Sequence, residues 1–105
     1  MLVGRYNTFG YASKFVFSSD GNTLYLADYS SGLVIIDIST PQVPSLIGSY
    51  ITPSGAYGVI VSSDGNTAYI ADGASGLIIV DITNPVTPSL IGSYDTFNSA
   101  YGVEL

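Results

Sequence analysis

Residues 20–45 read DGNTLYLADYSSGLVIIDISTPQVPS, and residues 64–89 read DGNTAYIADGASGLIIVDITNPVTPS. Each stretch begins on a turn, passes through two short apolar runs divided by a second turn, and ends at a pair of prolines. Working outward, the match extends to Leu2–Ser45 against Leu46–Ser89, a period of 44 residues with 23 identical positions. A third copy opens at Leu90 and runs to Leu105. Self-similarity at such a period marks a repeat architecture, in which one supersecondary unit buries its faces only against its neighbours. The chain divides into repeat 1 at 2–45, repeat 2 at 46–89 and a partial repeat 3 at 90–105, together one array.

Four strands are expected in each copy. A short apolar segment, Phe15–Phe17 or Gly58–Val61, leads into Asp-Gly-Asn, a hairpin signal because Gly accepts positive φ and Asp or Asn bonds its own backbone. Thr23–Ala27 and Thr67–Ala71 follow, closing at turns rich in Gly, Ser and Asp. The third segment, Leu33–Ile38 or Leu77–Ile82, is almost continuously apolar, as strands buried on both faces are. Pro44 and Pro88 then open the last segment, Leu46–Tyr50 or Leu90–Tyr94, which is expected at a sheet edge because proline cannot donate to a ladder. No helical periodicity appears. Four antiparallel strands per copy predict an all-β chain of two complete β-propeller blades plus partial strands.

The strings Gly32-Leu-Val-Ile-Ile-Asp37 and Gly76-Leu-Ile-Ile-Val-Asp81 carry a family resemblance. Each is followed by Ile-Ser/Thr-x-Pro, with Tyr-Leu/Ile-Ala-Asp upstream and Leu-Ile-Gly-Ser-Tyr downstream. The chain resembles the LVIVD repeat family over essentially Leu2 to Leu105. The resemblance implies β-propeller blades, mostly in bacterial and archaeal proteins of the cell surface or exterior, with no shared catalytic residues. An extracellular or cell-surface location is the corresponding expectation. Members carry enough blades to close a ring, whereas two blades leave both flat faces open. Either the sequence is an excerpt of a longer polypeptide, or copies assemble, three chains giving six blades and four giving eight, if the head-to-tail rotation closes.

Composition narrows the chemistry. The chain contains no cysteine and no histidine. That excludes disulfides, thiolate sites, Ser-His-Asp and Cys-His catalysis and ordinary zinc sites. Arg5 and Lys14 face eight acidic residues, a net charge of −6, so nucleic acid would be repelled rather than bound. No stretch approaches the apolar length of a membrane-spanning helix. The opening residues lack the apolar core of a secretory signal. No cofactor or metal is expected: the Asp20-Gly-Asn22 and Asp64-Gly-Asn66 turns lack the further acids of a calcium loop.

Asp37 and Asp81 close the third strand and invite comparison with a glycosidase carboxylate pair. Recurrence once per copy favours a structural role instead, each carboxylate accepting backbone N–H bonds at its own turn. The loops before the first strand of each copy are more suggestive of ligand contact. Tyr57 and Tyr101 stand there, on the face expected to hold Asp28, Tyr29 and Asp72, with Asp95 nearby. Tyrosine and aspartate around a funnel suit a sugar by stacking or a basic peptide by charge. The expected function is a non-enzymatic propeller module acting as a protein-interaction or surface-adhesion scaffold, a homo-oligomer or part of a longer propeller. Two alternatives stand beside it: a minimal self-assembling repeat without ligand, and a carboxylate-based glycan-active propeller.

Overall fold

A computed structural model describes residues 14–94. The strands are β1 (Lys14–Phe17), β2 (Thr23–Ala27), β3 (Leu33–Asp37), β4 (Ser45–Tyr50), β5 (Gly58–Val61), β6 (Thr67–Ala71), β7 (Leu77–Asp81) and β8 (Ser89–Tyr94). They form two four-stranded antiparallel sheets in chain order, β1-β2-β3-β4 and β5-β6-β7-β8, the blades of a propeller. Among the described residues there is no helix. The proline-led segments are the edge strands β4 and β8, as expected.

The repeated turns make these hairpins local. In the β1–β2 turn the Ser18 hydroxyl donates to Asp20 Oδ1 at 2.6 Å, and the same oxygen accepts the Asn22 N–H at 2.9 Å. Gly21 follows with φ 76° and nothing within 4 Å of an added Cβ, so its glycine answers to conformation and not to crowding. The β5–β6 turn repeats the pattern, Asp64 Oδ1 accepting from the Ser62 hydroxyl at 2.6 Å and the Asn66 N–H at 3.0 Å.

Each outer strand carries one extra residue. Ile35 pairs with Gly48 and Ile36 with Leu46, leaving Ile47 as a bulge, and Ile79–Gly92 with Val80–Leu90 does the same around Ile91. A bulge re-aims the side chain it inserts. Ile47 accordingly joins Leu33, Ile35 and Tyr50 on the face that meets the second blade.

That meeting face is the main core. Tyr25, Ala27, Leu33 and Ile35 of the first blade pack with Val59, Ala68, Ile70, Ile78, Val80 and Ile82 of the second. Full burial of one such aliphatic side chain contributes about 1.5–3 kcal/mol, so this contact joins the two blades firmly. A smaller cluster, Leu26, Val34 and Ile36, lies on the first blade's other face.

The expectation that the third strand is buried on both faces holds in one copy only. Leu33 to Ile36 are all buried, whereas in β7 Ile78 and Val80 are buried and Leu77 and Ile79 are half-buried. Leu77 and Ile79 lie on the side of β7 that has no blade against it among the described residues, whereas Val34 and Ile36, on the side of β3 away from the second blade, are buried in the cluster with Leu26. Large exposed apolar side chains stand on both blades, Phe15, Phe17 and Leu46 on the first and Leu90, Ile91 and Tyr94 on the second.

Candidate functional site

The loops at one end of the two sheets meet at the junction between blades. Tyr29, in the β2–β3 turn, and Ala56, before β5, exchange both backbone hydrogen bonds: the Tyr29 N–H donates to Ala56 O at 2.9 Å, and the Ala56 N–H to Tyr29 O at 3.0 Å. This one-residue ladder ties the second strand-turn of the first blade to the entry loop of the second. It brings Tyr29 and Tyr57 together, ring centroids 5.3 Å apart at 64°, an edge-to-face pair. Tyr29 is 40% exposed and Tyr57 half-buried.

Tyr29 holds φ 46°, the one non-glycine residue with positive φ among those described. Left-handed backbone costs an L-residue about 1–2 kcal/mol, a strain that glycine escapes. The turn is closed by the Ser31 N–H donating to Asp28 O at 2.9 Å and the Asp28 N–H donating to Gly32 O at 2.8 Å. Gly55 beneath has no Cβ, and an added one would stand 2.9 Å from the Tyr29 ring.

Asp28 and Asp72 lie behind this surface and are fully buried. The Asp72 carboxylate accepts the Ser54 N–H through Oδ2 and the Gly55 N–H through Oδ1, each at 3.0 Å. It therefore fixes the loop that carries Ala56 and Tyr57. Beside it the hydroxyls of Ser54 and Ser75 stand 2.7 Å apart. Of the six residues nominated for ligand contact, the structure puts Tyr29 and Tyr57 on one surface, with Asp28 and Asp72 buried and Asp72 supporting the loop that carries Tyr57. Asp95 and Tyr101 lie outside the described residues. The role of Asp72 had a sequence signal, its recurrence at Asp28, of the same kind that marks Asp37 and Asp81.

The remaining carboxylates are engaged in their own turns. Asp37 Oδ1 accepts the Ser39 N–H and Asp81 Oδ1 the Thr83 N–H, each at 2.9 Å. Hydrogen bonds from Ser39 and from Thr83 hold these two carboxyls below the usual carboxylate value. Hydrogen bonds from Ser18 and Asn22 do so for Asp20, and from Ser62 and Asn66 for Asp64. Among the described residues no cluster of acids is placed to hold a metal ion.

At the opposite end of the sheets, the two Ser-Ser-Asp-Gly hairpins flank a groove of about 250 Å³ lined by Phe17, Ser18, Tyr25, Ser62 and Asp64 among others. Burial pushes the Tyr25 hydroxyl above its ordinary value, with the charge of Asp20 adding to the effect. Sequence reasoning assigned these turns to structure and did not single out the groove between them, because it arises from the packing of one blade on the next.

No curated protein matches the chain. The sequence model of the LVIVD repeat does, twice, over residues 10–52 and 55–96. Each match takes in the four strands of one sheet, so the repeat unit and the blade coincide. With the repeat motif matched in both blades and the strands paired as propeller blades, the chain belongs to the LVIVD repeat family.

Proposed function

We propose that the chain is a non-enzymatic β-propeller module that serves as an interaction scaffold at a cell exterior, presenting the Tyr29–Tyr57 surface to a protein or glycan and joining further blades. The observation that carries this reading is the division of labour among its polar groups. The carboxylates of Asp20, Asp37, Asp64, Asp72 and Asp81 each accept backbone N–H bonds of a nearby turn or loop. Two tyrosine rings are instead held at the surface on a backbone strained to present one of them. Strain persists where the surrounding structure over-determines it, and such places are where ligand contact is worth testing. The exterior location rests on the family resemblance alone.

Stacking on tyrosine favours sugar rings, and a net charge of −6 favours basic peptides. Titration of the purified chain with neutral oligosaccharides and with lysine-rich peptides, followed by tyrosine fluorescence, tests the surface. Saturable binding that falls at least tenfold in Tyr29→Ala supports it. Binding indifferent to Tyr29→Ala, or none to either probe, removes the contact role and leaves the ligand-free assembly as the better reading. A specific observation favours that second reading too: the apolar face left open on the second blade.

A further inference from the structure

The two blades are chemically equivalent but not equally covered. On the first blade Tyr25, Leu33 and Ile35 are buried, with Ile47 and Tyr50 packed against them, because the second blade lies on that face. The same positions of the second blade are Tyr69, Leu77, Ile79, Ile91 and Tyr94, identical in type at every one. There Tyr69, Leu77 and Ile79 are half-buried, Ile91 is 58% exposed and Tyr94 65% exposed. A contiguous apolar surface of this kind on a soluble chain marks an interaction site.

A glycine says what covers it. Gly48 sits in β4 on the buried face, and an added Cβ there would collide with the Pro85 carbonyl oxygen and stand 3.0 Å from that of Val86. The glycine lets the Pro85–Val86 turn of the next blade approach the strand. Gly92 holds the same place in β8, with neither a positive φ nor any atom within 4 Å of an added Cβ. Among the described residues nothing requires glycine there. The turn that would require it is a copy of Pro85–Val86, and the first blade carries one, Pro41–Gln42, which is exposed where Pro85 is half-buried against Gly48.

We propose that the open face of the second blade is an interface for a second copy of this chain, which docks head to tail through the exposed Phe15, Phe17 and Pro41–Gln42 of its first blade, Leu26, Val34 and Ile36 on that side being already buried within the chain. The Pro41–Gln42 turn of the incoming copy lies over Gly92, as Pro85–Val86 lies over Gly48. Its inner strand brings Phe15 and Phe17 to the places that Val59 and Val61 occupy in the internal contact. Both rings are open, at 58% and 57% exposure, and pack edge to face with centroids 5.6 Å apart. The contact is heterologous, using different surfaces on the two copies, so it propagates and closes into a ring where the rotation permits. It deepens the scaffold reading but does not depend on the Tyr29–Tyr57 surface.

Two variants and their mixture test it. Gly92→Val blocks the second-blade face where the described residues leave space, and Phe15→Glu blocks the first-blade face at an exposed position. Circular dichroism and thermal melting establish that each remains folded. Light scattering on a sizing column should give the unmodified chain a mass that is a multiple of 10.9 kDa, and each variant alone 10.9 kDa. Mixed, the variants should form a two-chain complex and stop there, since each supplies the face the other lacks. A monomeric unmodified chain at high concentration overturns the proposal and assigns the face to a blade of a longer polypeptide. Association of Phe15→Glu with itself, with no new species on mixing, overturns the head-to-tail geometry in favour of a two-fold pair. Ligand titration of the two-chain mixture then reports on the Tyr29–Tyr57 surface separately, because neither substitution touches it.

Discussion

Tyr29 and Gly73 occupy the same place in successive blades, 44 residues apart, and share a left-handed backbone, φ 46° and φ 52°. Glycine takes that conformation without penalty, and tyrosine takes it only against a steric cost. The side chain at position 29 is therefore present in spite of the backbone. It lies against Tyr57, and an added Cβ on Gly73 would stand 3.1 Å from the same Tyr57 ring.

Replacing Tyr29 separates the ring from the strain. Tyr29→Ala removes the aromatic contact and keeps the left-handed penalty, while Tyr29→Gly removes both. Tyr29→Gly is expected to be the more stable of the two by about 1 kcal/mol. Urea denaturation of both variants checks the order, and an alanine variant at least as stable as the glycine variant would show that position 29 is unstrained.

Asp72 supports two N–H groups of the loop preceding β5 from a fully buried position. Removing that acceptor leaves those donors unsatisfied, the expensive half of the hydrogen-bond balance. Asp72→Ala should cost about 2–4 kcal/mol of stability. Asp72→Asn keeps one good acceptor and should lose less. Equal loss in the two variants, measured by chemical denaturation, would mean that the carboxylate charge and not its acceptor geometry holds the loop.

The blade was legible because its determinants are local and doubled. Asp20-Gly-Asn22 and Asp64-Gly-Asn66 define hairpins by their own side chains, and Pro44 and Pro88 mark the edge strands by lacking a donor. The difference between Ile35 and Ile79 was not legible, since the residues are the same and only the presence of a neighbouring blade distinguishes them. The same holds for Gly48 and Gly92. At the loop face the tyrosines could be picked by type, but that Asp28 and Asp72 point inward depends on how the turns fold over them. A single sequence does not separate a carboxylate offered to ligand from one offered to backbone.

Acid should weaken the fold in a defined sense. The carboxyls of Asp20, Asp37, Asp64 and Asp81 titrate below their ordinary value of 3.8 because turn hydroxyls and N–H groups favour the charged form. A group depressed in the folded chain contributes stability that is full above its unfolded value and is lost as the pH falls through its folded one. The melting midpoint should hold steady above about pH 5 and decline below the ordinary carboxylate value. Replacing all four residues by Asn should flatten this decline. A midpoint that rises on acidification would show that repulsion among the acidic groups outweighs their turn hydrogen bonds.

Gly48 and Gly92 provide a matched pair for the packing of blade on blade. Their strand contexts are identical, Ser-Leu-Ile-Gly-Ser-Tyr in both, so propensity and bulge geometry cancel in the comparison. What remains is the neighbour: the Pro85–Val86 turn over Gly48, and open space over Gly92. Gly48→Ala drives a methyl group into backbone oxygen, which has no rotamer with which to escape, and should destabilise by about 2 kcal/mol or more. Gly92→Ala meets nothing among the described residues and, measured at concentrations low enough to hold the chain monomeric, should leave stability unchanged or slightly raised, since alanine restricts the unfolded chain. Equal costs at the two positions would locate the requirement for glycine in the β-bulge itself and remove the inference that the next blade imposes it.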